Sequence, residues 1–179
     1  MIITISGPPG SGKTTVGKLL ADKLNREFIS TGMIFRSMAE EKGVSLERFG
    51  EMALEDHEID KELDRRILAI AREKKELILE GRLAAHMLHL NGIKSFKVWI
   101  DAHIHTRAER ISGRESKDQE QVRAEILERE ECERDRYKKI YDIDLSSLAV
   151  YDHVVNSDDM TPEQIAHDII INWEEKKDA

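Results

Sequence analysis

The sequence predicts an α/β fold, a mostly parallel sheet flanked by helices, and three observations predict it. Short apolar runs bounded by turn residues recur at Ile2 to Ser6, Leu77 to Leu79, Lys97 to Ile100 and Val154-Val155, as expected of strands covered on both faces. Between them lie amphipathic stretches with helical spacing. The two kinds of segment alternate from one end of the chain to the other, the pattern of a sheet built by crossover connections. In such sheets ligands sit beyond the carboxyl ends of the strands.

Ile2 to Ser6 is the first strand and runs straight into GPPGSGKTT, Gly7 to Thr15. Lys13 to Leu24 follows as a helix, because Val16, Leu19, Leu20 and Leu24 fall on one face. Glu27 to Ser30 reads as a second short strand ending at Thr31-Gly32, and Met33 to Lys42 as a helix stopped by Gly43. Ser45 opens another helix. From Ile59, apolar positions at Leu63, Ile67, Ile70 and Ala71 form a helical stripe that extends to Lys75. Leu77 to Leu79 is then a strand cut by Glu80-Gly81-Arg82, and Lys97 to Ile100 another that ends at Asp101. Val154-Val155 before Asn156-Ser157 is the last strand. Thr161-Pro162-Glu163-Gln164 supplies an N-cap, a proline at the first helical position and a capping-box glutamine for a terminal helix. Its Ile165, Ile169 and Trp173 face inward, and both Trp99 and Trp173 read as packing residues.

At 179 residues the chain fits one domain with its own core. Charged residues make up 36% and apolar ones 40%, with only three prolines, a composition of ordered globules rather than disordered chains. The formal net charge of -8 argues against a general nucleic-acid or acidic-membrane surface, which would need a basic footprint. Cys132 is the only cysteine, so neither a disulfide framework nor a Cys-based metal site is available. His86 and His89, or His103 and His105, lack a third ligand at zinc spacing. With no leader-like segment and no long apolar run, the expectation is a cytoplasmic protein.

Gly7-Pro8-Pro9-Gly10-Ser11-Gly12-Lys13-Thr14 matches the phosphate-binding P-loop pattern without a gap, between a strand and a helix as that pattern requires. Glycines allow the backbone N–H groups to turn inward on phosphate oxygens, and the helix adds its positive dipole end. Donors are needed only from Gly10 onward, so Pro8 and Pro9 stiffen the approach without loss. Lys13 is expected on the β and γ phosphates of ATP, Thr14 on Mg²⁺, and Thr15 near the α phosphate. Glu80 or Asp101, at strand ends, could manage the metal's waters.

Residues 107 to 139 hold Arg107, Arg110, Arg114, Arg123, Arg129, Arg134 and Arg136 together with three lysines, balanced by ten acidic residues. Most of that span reads as a surface helix pair laced with ion pairs. Phosphoryl transfer nevertheless needs cations over the transferring group. Arg110 and Arg114, around Ser112-Gly113, suit a hinged lid that closes and excludes water. Thr31-Gly32 with Arg36 one turn further on, and Arg82 after Glu80-Gly81, suit a second anion site for an acceptor.

GPPGSGKTT, STGMIFR, LILEGRLAA, VWIDA and RYKKIYDID, in this order, resemble the nucleoside monophosphate kinases, most closely the archaeal-type cytidylate kinases, over essentially the whole chain. The resemblance implies the P-loop kinase fold as a single domain in three parts. These are a core (1–30, 76–111 and 137–179), a monophosphate-binding insert (31–75) and a lid (112–136). It implies Gly7, Gly10, Ser11, Gly12, Lys13, Thr14 and Thr15 as ATP-binding, and Lys13, Arg110 and Arg114 as catalytic. Thr31, Arg36 and Arg82 look like acceptor contacts, and Arg129, Glu133 and Arg136 are similar in placement to the family's Arg, Asp and Arg set. Thr14 and Glu80 would serve the metal. The activity implied is transfer of the γ phosphoryl group of ATP to CMP or dCMP by a monomer that needs Mg²⁺. An adenylate kinase or a shikimate-type kinase are the other enzymatic readings. A nucleotide-gated switch is the reading from another class, although no guanine-reading Asn-Lys-x-Asp follows the loop.

Overall fold

The structure is a computed structural model that describes residues 1–178. Five strands form one sheet: β1 (Ile2–Ser6), β2 (Glu27–Ser30), β3 (Leu77–Glu80), β4 (Ser95–Asp101) and β5 (His153–Asn156). Their order is β2-β3-β1-β4-β5, and every pairing is parallel. β1 lies at the centre with all five residues buried, Thr4 and Ser6 among them, which is why it is mostly apolar and carries no charge. The register sets Ile5 and Ser30 beside Glu80, Ser6 beside Trp99 and Asp101 beside Asn156. The carboxyl ends of all five strands therefore open on the same edge.

Successive side chains of a strand point to opposite faces, and the sheet is covered on both. Ile3, Ile5, Ile78, Val98 and Ile100 pack on α1 (Lys13–Leu24) through Val16 and Leu20, and on α8 (Pro162–Asp178) through Ile165, Ile169 and Trp173. Ile2, Leu77 and Leu79 pack the other way, on Ile67 and Ala71 of α4 (His57–Glu73) and on Ala84 and Leu88 of α5 (Ala84–Leu90). α2 (Thr31–Lys42) and α3 (Leu46–Glu55) join α4 around Phe49, Met38 and Ile59, a small core separate from the sheet's own. α6 (Ile104–Glu115) and α7 (Gln119–Tyr141) pair through Ala108, Val122 and Ile126.

Several boundaries differ from the sequence reading. α2 starts at Thr31, before Met33, because the Ser30 hydroxyl accepts from the Met33 N–H at 3.1 Å and caps the helix. α4 starts at His57 because Asp56 accepts from the Glu58 N–H at 2.9 Å. The short α5, seven residues with His86 and His89 among apolar ones, carries no periodicity long enough to announce it. α6 continues through Ser112 and Gly113, so the expected hinge there is helical. The chain reverses at 116–118, where Ser116 adopts φ 53°. One helical glycine costs about 1 kcal/mol, which the packing of Ala108 and Ile111 against α7 outweighs. α7 itself runs unbroken for 23 residues, past Arg136. Among the described residues no helix is long and apolar enough to cross a membrane.

Candidate active site

The loop between β1 and α1 is held on three sides. A side chain at Gly7 would collide with the Ile100 carbonyl, and Gly10, at φ 79°, leaves room for a Cβ only 2.8 Å from the Arg107 carbonyl oxygen. Both positions require glycine because neighbouring backbone comes so close. The prolines contribute their carbonyls instead of donors. Pro8 O accepts from Ser11 N–H at 3.3 Å and from Lys13 Nζ at 3.3 Å, and Pro9 O from Arg107 Nη1 at 3.3 Å. No side chain caps α1 at Gly12, so its first N–H groups stay open to an anion.

Lys13 is pushed down to about 8, chiefly by burial, with Arg82 and Arg129 adding to the effect and Glu80 opposing it. A cation held in that condition gains from a bound polyanion, which would restore its ordinary range. The Thr14 hydroxyl donates to Glu80 Oε2 at 3.3 Å. Glu80, at the end of β3, is thus the carboxylate beside the loop. Asp101 instead accepts from the Ala102 N–H at 2.9 Å and lines neither of the two cavities at the loop.

Two cavities meet over this loop. One, of about 560 Å³, is lined by Gly10 to Thr15, by Arg110 and Arg114, and by the apolar Met160, Pro162 and Ile165. The other, of about 310 Å³, is lined by Thr31, Arg36, Glu80 and Arg82. Lys13, Thr14 and Arg129 line both. The structure therefore brings together Gly10 to Thr15, Arg110 and Arg114 on one side, and Thr31, Arg36 and Arg82 on the other, whereas Gly7 lines neither cavity and packs against the Ile100 carbonyl.

The set of three suggested by resemblance divides. Arg129 faces the cavities, whereas Glu133, only 7% exposed, lies behind them. Its carboxylate sits 2.7 Å from Arg82 Nε and 3.0 Å from Arg129 Nε. Arg136 lines neither cavity. It lies 3.3 Å from Asp60 on α4 and donates to the Tyr137 hydroxyl at 3.0 Å.

Arg110 is occupied as well as close. Its Nη1 donates to the carbonyls of Gly10 and Ser11 at 3.3 Å each and to Ser157 Oγ at 3.0 Å, while Nη2 donates to Ser157 O at 2.7 Å. Ser157 Oγ in turn donates to Ser11 O at 2.9 Å. Two residues the sequence analysis left without a role emerge here. Arg107 is buried and ties Pro9 O to Ala102 O and Glu130, and Ser157 ties the loop to the end of β5. Ser157 carried one sequence signal, its place just past a strand end.

With this geometry in view, the comparisons with known proteins are specific. The pattern of the Cytidylate kinase-like family matches residues 2–159. A protein named cytidylate kinase from Methanocaldococcus jannaschii is 48% identical over 158 residues, 88% of each chain. Another of that name from Halobacterium salinarum is 45% identical over 172 residues, 96% of this chain and 88% of its own. Among solved structures, an uncharacterized protein from Eubacterium ventriosum superposes with TM-score 0.74 at 20% identity, covering 97% of both chains. A shikimate kinase from Bacteroides thetaiotaomicron does so with TM-score 0.64 at 18% identity, covering 100% of this chain and 99% of its own. The structural likenesses establish the kinase-like fold alone. The family pattern and the sequence relatives go further, and by them the chain belongs to the cytidylate kinase-like family.

Proposed function

We propose that the protein transfers the γ phosphoryl group of MgATP to CMP, and also to dCMP, giving the nucleoside diphosphate and ADP. The observation that carries this reading is the pair of cavities that share Lys13, Thr14 and Arg129. One anion alone would need one cavity; a donor and an acceptor need two that meet where the cations are.

Under this reading the loop N–H groups and Lys13 hold the donor's phosphates, and the cavity's apolar lining of Met160, Pro162 and Ile165 takes the base. Arg36 and Arg82 hold the acceptor phosphate, with Thr31 beside them. An oxygen of that phosphate attacks the γ phosphorus as the bond to the bridging oxygen breaks, and ADP leaves with the electron pair. The nucleophile is already an anion at neutral pH, so no general base is required. Lys13, Arg129 and Arg114 neutralise charge on the moving group, and Arg110 does so once it exchanges loop carbonyls for phosphate.

Thr14 and Glu80 suit Mg²⁺ delivered with the nucleotide. No group of three or more acidic, His or Cys side chains forms a cage among the described residues, and Mg²⁺ in such sites leans on one carboxylate, a hydroxyl and phosphate oxygens. The ion would draw charge from the β and γ oxygens. The protein acts as a cytoplasmic monomer on small nucleotides in this reading.

The test is a panel of CMP, dCMP, UMP, AMP and shikimate with MgATP, with ADP release and product identity followed together. CDP formation at the highest kcat/KM is expected. ADP release that is independent of every acceptor would replace transfer by idle hydrolysis, and product from shikimate alone would overturn the choice of acceptor.

A further inference from the structure

A cavity of about 420 Å³ lies at the opposite end of the sheet from the active site, where β1 begins, α4 ends and β4 is entered. Ile2, 1% exposed, Ala71, 2% exposed, and the half-buried Ile93 make its apolar floor, with Met1 beside them. Around that floor stand Arg72, Lys75, Lys94 and Lys177, and among the described residues no carboxylate lines it. In a chain of net charge -8 such a concentration of one sign is unusual. Arg72 and Lys177 offset the negative ends of α4 and α8. Lys75 and Lys94 lie outside both helices, so the dipole does not explain them.

The four cations are also available. Arg72 donates to the Asn91 side chain at 3.2 Å, and the Lys177 ammonium sits 5.2 Å from the centre of the Trp173 ring. None of the four forms an ion pair among the described residues, although exposed cations elsewhere on the molecule do, such as Lys61 with Glu58 and Lys74 with Glu27. The volume falls within the range of small-molecule sites. An apolar floor with a cationic rim matches a ligand that has an apolar body at one end and more than one negative charge at the other.

We infer that this cavity is a second binding site, separate from the catalytic one, for a small phosphate carried on an apolar body. Its occupant touches the start of β1, whose far end feeds the phosphate loop, and the end of α4, which forms part of the acceptor-side helices. The inference does not depend on the proposed reaction.

Trp173, in contact with Lys177, serves as the reporter. Decyl phosphate is titrated into the full chain with ADP and CMP, a pair with no γ phosphoryl group to transfer, present in excess to fill the catalytic cavities, and tryptophan emission is recorded. Saturable binding at one site is expected. Affinity should fall about tenfold or more in Lys75→Glu/Lys94→Glu, since two attractive contacts become repulsive. Neutral decanol and inorganic pyrophosphate, each carrying half of the chemistry, should bind at least as much more weakly. Competition by CTP would assign the site to nucleotides, and its absence to alkyl phosphates. Equal affinity in the charge-reversed and parent proteins, with both folded by circular dichroism, or a response that never saturates, overturns the inference.

Discussion

Arg82 Nε lies 2.7 Å from a carboxylate oxygen of Glu133, and neither side chain is more than 14% exposed. The other oxygen of Glu133 meets Arg129, and Arg82 Nη1 donates to Gly7 O at 3.1 Å. One buried acid on α7 thus fixes an arginine that reaches the phosphate loop and another that lines both cavities. The acid acts through the arginines and touches neither cavity itself.

Glu133→Gln keeps the shape and removes the charge, so both arginines lose their anchor while retaining their own cations. KM for CMP should rise about tenfold, the effect of weakening one charge-assisted contact of about 1.5 kcal/mol. Steady-state kinetics with CMP varied at saturating MgATP provides the check. Glu133→Ala should in addition unfold at lower temperature, because breaking a buried pair leaves cations uncompensated. An unchanged KM in Glu133→Gln would show that the arginines are positioned by something else.

Lys13 offers a prediction with a sign. Its pKa is lowered in the folded chain to about 8 from an ordinary 10.5, so between those values the unfolded state holds more protons. Stability of the nucleotide-free protein therefore rises with pH across that window and gains nothing below it. Bound phosphates favour the ammonium, so ATP binding near pH 8.5 should take up protons. Calorimetry in buffers of differing ionisation enthalpy measures the uptake, and Lys13→Ala should abolish both it and turnover while leaving the fold intact. Undiminished turnover in that variant would remove Lys13 from the chemistry.

The strands, the phosphate loop and the terminal helix were legible in the sequence because each is a local pattern. β1 is mostly apolar and uncharged since both faces are covered, and Gly7 and Gly10 stand where neighbouring backbone leaves no room for a side chain. The facing arginines were legible as a group and not singly. Nothing in the spacing of α7 distinguishes Arg129, which faces the cavities, from Arg136, which turns to Asp60, because that choice depends on how α7 lies against α4. The hinge expected at Ser112-Gly113 is helical for a related reason: Gly113 signals a break only where tertiary packing does not override it.

Asp64, 7% exposed on α4, accepts a hydrogen bond from the Tyr141 hydroxyl of α7. Burial raises its pKa to about 6, with nearby Asp60 adding to the effect and Tyr141 and Arg136 opposing it. A folded-state value above the unfolded one means that stability is fully present below about pH 4 and is lost as pH rises through about 6. Its removal from the pH profile by Asp64→Asn should flatten unfolding free energy over that window by on the order of 2 kcal/mol. Urea titrations at pH 4, 5, 6 and 7 measure it. Parallel profiles for the two proteins would place the titrating group elsewhere.

Arg110 and Ser157 test whether the loop is held open by its own neighbours. Arg110 now donates to Gly10 O, Ser11 O and Ser157, and Ser157 Oγ donates to Ser11 O. A guanidinium so placed must release carbonyls before it can bind phosphate, so its removal costs transition-state charge stabilisation. Ser157→Ala, by contrast, loses the bond its hydroxyl gives to Ser11 O and the one it accepts from Arg110, and leaves every cation in place. Arg110→Ala should lower kcat by about a hundredfold, as loss of an oriented charge donor does in comparable sites. Ser157→Ala should raise KM for ATP by about fivefold and leave kcat nearly unchanged, as loss of about 1 kcal/mol of loop support implies. The split between kcat and KM separates the two roles. If both variants reduce kcat equally, Arg110 serves the loop's shape and another cation, with Arg114 the nearest in sequence, carries the charge.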